Sequence, residues 1–165
     1  MKKSLIILLL NIGTFACFSQ NLPNFLDIPL KDSSDYKMAE KEVILAADFL
    51  LETTPYERKR GEAHQFLSRW MEGTPYYNFR VDETAAKIYE MNANLMGVYL
   101  AAMAKFTIEN QNIIDNKEVI ELATIQQLIS YCKNSAHNIP IKGALKKMIK
   151  AHEKGELKKY VATLK

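Results

Sequence analysis

Side chains able to do chemistry are few in this chain, and most lie far apart. There are three histidines, His64, His137 and His152. None has a second histidine or a cysteine at the spacing from which a zinc site is built. His152-Glu153 also lacks the following histidine of a metalloprotease helix. No metal or other cofactor is therefore expected. Carboxylates stand one turn apart at Asp48 and Glu52 and again at Glu118 and Glu121. A glycosidase needs two such groups facing one cleft, which helical spacing alone does not provide. No serine sits in a nucleophile elbow, and the glycines form no phosphate-binding loop. No residue is assigned a catalytic role. Cys132 lies in the apolar stretch QLISYCK with no base beside it, which describes a buried, inert thiol better than a nucleophile.

Two clusters carry binding chemistry instead. Trp70, Tyr76, Tyr77 and Phe79 place four aromatics within or beside the loop 73–81. Such a loop either tucks into the core or presents an adhesive surface to a partner. Lys142, Lys146, Lys150, Lys154 and Lys158 recur every fourth residue, with Ile141, Leu145, Met148 and Ile149 on the other side. That pattern has two readings. It suits an interfacial helix that binds an anionic surface, and it suits a terminal helix whose apolar side docks on its own body. Residues 142–165 hold eight lysines against two glutamates, a net of +6 in a chain of formal charge +3. Without Lys2 and Lys3 the chain carries 20 basic against 19 acidic side chains, so residues 20–141 stand at −5. An overall charge so close to zero argues against nucleic acid as a partner. The run Arg58–Arg60, flanked by Glu57 and Glu62, reads as a solvated helix face rather than a phosphate site.

The elements that must position these groups read as helices throughout. The longest proline-free amphipathic stretch is 82–110, roughly 43 Å as one helix at 1.5 Å per residue. Asp82 suits its N-cap, and Ile88, Met91, Leu95, Tyr99 or Val98, Ala102 and Phe106 share one face. Ala93, Gly97 and Ala101 form a ridge of small residues spaced by four, where another helix could approach closely. Asn92 and Asn94, poor helix formers, interrupt the stretch and are free to hydrogen-bond a neighbour or a ligand. Before it, Tyr36–Glu52 forms a helix capped from Ser33, Ser34 or Asp35. Thr54-Pro55-Tyr56-Glu57 has the residues of a capping box opening a helix over Pro55–Met71. After it, Asp115 caps a broadly apolar helix, and a final segment over 141–165 is divided at Gly155. Thr-Pro-Tyr recurs at 54–56 and 74–76, too short an echo to signal repeats. No alternating strand pattern of useful length occurs. The expected fold is all-α, a bundle or helical-hairpin array of five to six helices around a long central helix at about 82–110.

The ends of the chain add an address. Residues 1–19 read as a secretory signal peptide: Lys2 and Lys3, then the apolar core Leu5–Ile12, then Cys17 and Ser19 as small residues before a cut at Gln20. A short basic region followed by a leucine-rich core resembles bacterial export signals. It implies a periplasmic or secreted protein of the bacterial envelope, with an uncleaved anchor or a lipoprotein attached through Cys17 as the alternatives. Removal or lipidation of Cys17 leaves Cys132 without a disulfide partner. The expected organisation is a signal peptide at 1–19, an extended leader at 20–35 with Pro23 and Pro29, and a single helical domain at 36–165 with no transmembrane span. Two functions fit. One is a non-catalytic module that binds a protein, glycan or anionic surface in the envelope, and the other is a small envelope hydrolase whose site forms only in three dimensions. A histidine and a carboxylate meeting in a deep pocket would favour the hydrolase.

Overall fold

A computed structural model describes residues 22–79 and 83–164. The expected signal peptide at 1–19 with Cys17, and the expected N-cap Asp82, lie outside these residues. Within them the chain is all-helical, with no strand. The helices are α1 (Ser33–Met38), α2 (Glu40–Glu52), α3 (Arg60–Gly73), α4 (Glu83–Met91), α5 (Leu95–Glu109), α6 (Lys117–Lys133), α7 (Gly143–Glu153) and α8 (Leu157–Val161).

The centre of the array is α5. It packs against α2, α3, α4 and α6. Leu95, Val98, Tyr99, Ala101, Ala102 and Ala104 are all buried, so this helix is apolar nearly all round. One hydrophobic core runs from Phe25 to Val161. The leader joins it: Phe25 in the 3-10 turn Phe25–Asp27 stacks on Phe66 of α3, with ring centroids 5.6 Å apart.

Several expected boundaries move, each for a local reason. The helix over 82–110 is two helices, broken at Asn92-Ala93-Asn94. Asn92 Oδ1 accepts the Asn94 N–H at 3.0 Å, and the Leu95 N–H reaches the Asn92 carbonyl at 2.9 Å. This asparagine turn competes with the helical ladder and wins. The Asn92 side chain thus serves the turn, whereas Asn94 joins it through its backbone N–H and is exposed. Tyr36–Glu52 is likewise divided, at Ala39. Asp32, not Ser33, Ser34 or Asp35, caps α1 by accepting from the Ser34 and Asp35 N–H groups. Asn116 rather than Asp115 caps α6 through the Val119 N–H.

The capping box at Thr54 does not open a helix. Residues 54–59 form turns, and α3 begins at Arg60. The cause is Arg60 itself, which is buried rather than wet. Its Nη1 donates to the carbonyls of Leu50 at 2.7 Å and Thr53 at 3.0 Å, and to Thr53 Oγ1 at 2.8 Å. The Tyr131 hydroxyl donates to the same Thr53 carbonyl at 2.9 Å. A guanidinium at the last turn of α2 both satisfies its free carbonyls and meets the negative end of its dipole. His137 completes the knot: its ring stacks on Tyr131 at 3.9 Å, and Nδ1 lies 2.9 Å from the Tyr131 carbonyl.

The small-residue ridge is a real approach site in part. A Cβ on Gly97 would stand 3.3 Å from His64 Cδ2 of α3. Ala101 is buried, whereas Ala93 is exposed in the turn. Gly155 separates α7 from α8 with φ +72°, the left-handed geometry glycine accepts without strain. There the Glu156 N–H reaches back to the Ala151 carbonyl at 2.8 Å, the signature of a Schellman stop.

Candidate functional site

The aromatic loop is held from behind. Trp70 is fully buried, and its Nε1 donates to the Tyr36 carbonyl at 2.9 Å. Its ring packs against Tyr77 at 5.6 Å and Phe79 at 5.8 Å, and these two rings lie 6.0 Å apart. The Tyr77 hydroxyl donates to Glu40 Oε1 at 2.8 Å, and burial first, with that bond, pushes its pKa well above the ordinary phenol value. Tyr76 stays exposed, with the Lys37 ammonium 5.6 Å from its ring centroid. The four aromatics therefore divide by depth. Trp70 is a support inaccessible to any partner, Tyr77 and Phe79 are half-buried, and Tyr76 faces outward.

Beneath this loop lies a cavity of about 460 Å³. Residues 76–79 form its roof, Tyr99, Met103 and Thr107 of α5 its floor, and the segment from Ile114 to Glu121 its far wall. Tyr99, Met103 and Thr107 are spaced by four, so α5 offers one continuous stripe to the cavity. The lining mixes apolar surface with polar groups whose bonds are largely made within the protein. Thr107 Oγ1 donates to the Met103 carbonyl at 2.8 Å. Glu121, buried, accepts from Thr84 Oγ1 at 2.7 Å. Glu118 pairs with Lys158 at 2.6 Å. Asn78, Asp115 and Lys117 line the cavity with exposed side chains. The chamber thus has aromatic and apolar walls on one side and polar or charged residues, Asp115, Lys117, Glu118 and Glu121, along the other, a mixed lining suited to an amphipathic small ligand.

A second, more open groove of about 690 Å³ runs past Phe106, Gln126, Gln127, His137 and His152. It brings two histidines to one surface but no carboxylate. His137 is already held between the carbonyls of Tyr131 and, at 3.3 Å, Glu52. Among the described residues no group of three or more His, Cys, Asp or Glu could hold a metal ion. Asp48 is engaged by Lys105 of α5. Burial opposes the Lys105 charge, but the bond to Asp48 outweighs it and leaves the ammonium harder to deprotonate than usual. Cys132 is buried, and burial pushes its thiol up to about 12, far from thiolate chemistry at neutral pH.

The lysines of the stripe are divided between α7 with its two flanking residues and α8. Lys142, Lys146, Lys150, Lys154 and Lys158 are all exposed, while Leu145, Met148 and Ile149 of α7 are buried. The apolar side of α7 is thus occupied by the body, and what the helix shows outward is charge.

Sequence reasoning reached the roof of the cavity and, in Glu118 and Glu121, part of its wall, and missed its floor. Tyr99, Met103, Thr107 and Ile114 read as ordinary core or loop positions. The only signal was a tyrosine and a threonine eight residues apart on an otherwise apolar helix. No protein-family model matches the chain, and no curated protein or solved structure is detectably similar to it. Among the described residues no helix is long and apolar enough to cross a membrane.

Proposed function

We propose that this chain is an exported, non-catalytic binding module that takes an aromatic or small amphipathic group of a partner molecule into the cavity beneath residues 76–79. The observation that carries the reading is the preformed roof. Tyr77 and Phe79 are pinned by Trp70 and Glu40, so the chamber exists without a ligand to order it. A site that pays little ordering entropy binds more tightly for the same contacts. Export rests on the sequence of residues 1–19.

The hydrolase reading would use Glu118 and Glu121, which share the cavity wall. Lys158 and Thr84 already engage those carboxylates, and no histidine lines the described part of the cavity. Binding is the simpler use of the same walls.

The test is a thermal-denaturation series with p-cresol, indole and N-acetyl-tyrosinamide as probes. A ligand that binds only the folded chain stabilises it by about 1.4 kcal/mol at a concentration ten times its Kd. At least one probe should raise the melting temperature of the wild type. Met103→Trp, which fills the chamber from its floor, should fold and lose that response. No response to any probe, or a response that survives the filling, would refute the proposal.

A further inference from the structure

We infer that the outward face of α7 and α8 lays the protein against an anionic lipid surface, held there by charge and without insertion. Between residues 142 and 164 there are seven lysines and two glutamates. Glu153 is paired with Lys133 at 2.8 Å. Five of the lysines repeat every fourth residue, and each of these five is exposed. Four of them, Lys142 to Lys154, span α7 and its two flanking residues roughly 6 Å apart along its axis at 1.5 Å per residue, and Lys158 lies on α8 beyond the turn at Gly155. Lys146, Lys150 and Lys154 form no ion pair among the described residues, so their charges are not spent on the fold. A row of unpaired cations on a terminal helix lowers the stability of the molecule unless an anionic partner covers it.

The shape of the face selects the partner. A neutral sugar chain is recognised in a groove whose aromatic rings stack on it, and no aromatic stands among the lysines of α7; an acidic glycan, which charge alone can hold, is the rival that the test separates. The nearest, Tyr160, is half-buried and donates its hydroxyl to the Ala144 carbonyl at 3.1 Å. A lipid surface asks only for a diffuse, convex cationic face. The one large apolar group at the edge of this face is Ile141, 42 % exposed just ahead of Lys142. The other apolar side chains of α7 are committed to the core, which excludes the deep burial of an interfacial helix. The contact is therefore peripheral and salt-sensitive. The inference does not depend on the cavity.

Co-sedimentation of the chain from Gln20 onward, which keeps every core residue from Phe25 to Val161, decides the matter. The probes are phosphatidylglycerol–phosphatidylcholine vesicles, pure phosphatidylcholine vesicles and soluble polygalacturonate. Binding to the anionic vesicles alone is expected, weakening at least tenfold from low to physiological salt because screening then reaches within about 8 Å. The triple variant Lys146→Gln, Lys150→Gln, Lys154→Gln should bind roughly a hundredfold more weakly, at about fivefold per lysine, with its melting temperature unchanged or raised. Absence of binding to anionic vesicles overturns the inference, as does binding that the variant retains. Preference for polygalacturonate overturns it in favour of an acidic glycan. A lowered melting temperature in the variant overturns it by showing that the lysines hold the fold.

Discussion

Single residues in this molecule are often occupied by backbone rather than by ligands. Arg60 is the clearest case. Its position in the run Arg58–Arg60 suggests a cation on a solvated helix face, yet it closes the end of α2 from inside. No sequence pattern announces this, because its partners are carbonyls of residues 50 and 53, which carry no side-chain signature. Arg60→Met should cost about 1.5–3 kcal/mol in a urea melt, the range for hydrogen bonds to a charged group. A loss below half a kcal/mol would show that water satisfies those carbonyls equally well. His64 offers a second test. Its Nε2 is buried and makes no hydrogen bond among the described residues. Burial first, and the Arg60 charge second, hold its pKa below the usual 6.5. The unfolded chain therefore binds the proton more readily than the folded one. Stability is full above pH 6.5 and declines as pH falls from there to the depressed folded value. His64→Gln should flatten the decline between pH 7.5 and 5 in parallel melts, and an unchanged slope would rule His64 out.

At the scale of elements, periodicity located every major helix, whereas its ends were set by contacts the sequence does not display. Asn92 bends a stretch of good apolar pattern into α4 and α5 through one side-chain bond of 3.0 Å. Weighing that bond against the ladder would have required knowing that α5 alone fills the centre. The small ridge was legible because glycine in a helix is costly unless something approaches it. His64 of α3 is what approaches Gly97. Gly97→Leu should lower stability by about 1–3 kcal/mol through overpacking, against leucine's better helix propensity. Chemical denaturation reads the sign directly, and a gain in stability would mean that α3 swings away at no cost.

At the scale of the whole molecule, the aromatic-roofed cavity and the lysine face are the two outward features that carry the functional reading. They adjoin, since Glu118 of the cavity wall is the partner of Lys158. The aromatic residues of the roof were visible in the sequence as a cluster. The chamber beneath was not, because it exists only where residues 76–79, α5 and the start of α6 fail to close on one another. Likewise the stripe of lysines was legible as a helix face, while the occupation of its apolar side by the core needed the fold. A titration of the uniformly 15N-labelled chain with p-cresol, followed by amide chemical shifts, tests the central claim most directly. The account predicts saturable shifts confined to residues 76–79, 99–107 and 114–121. Shifts centred instead on the groove at Phe106, Gln126 and His137, or none at millimolar probe, would contradict it.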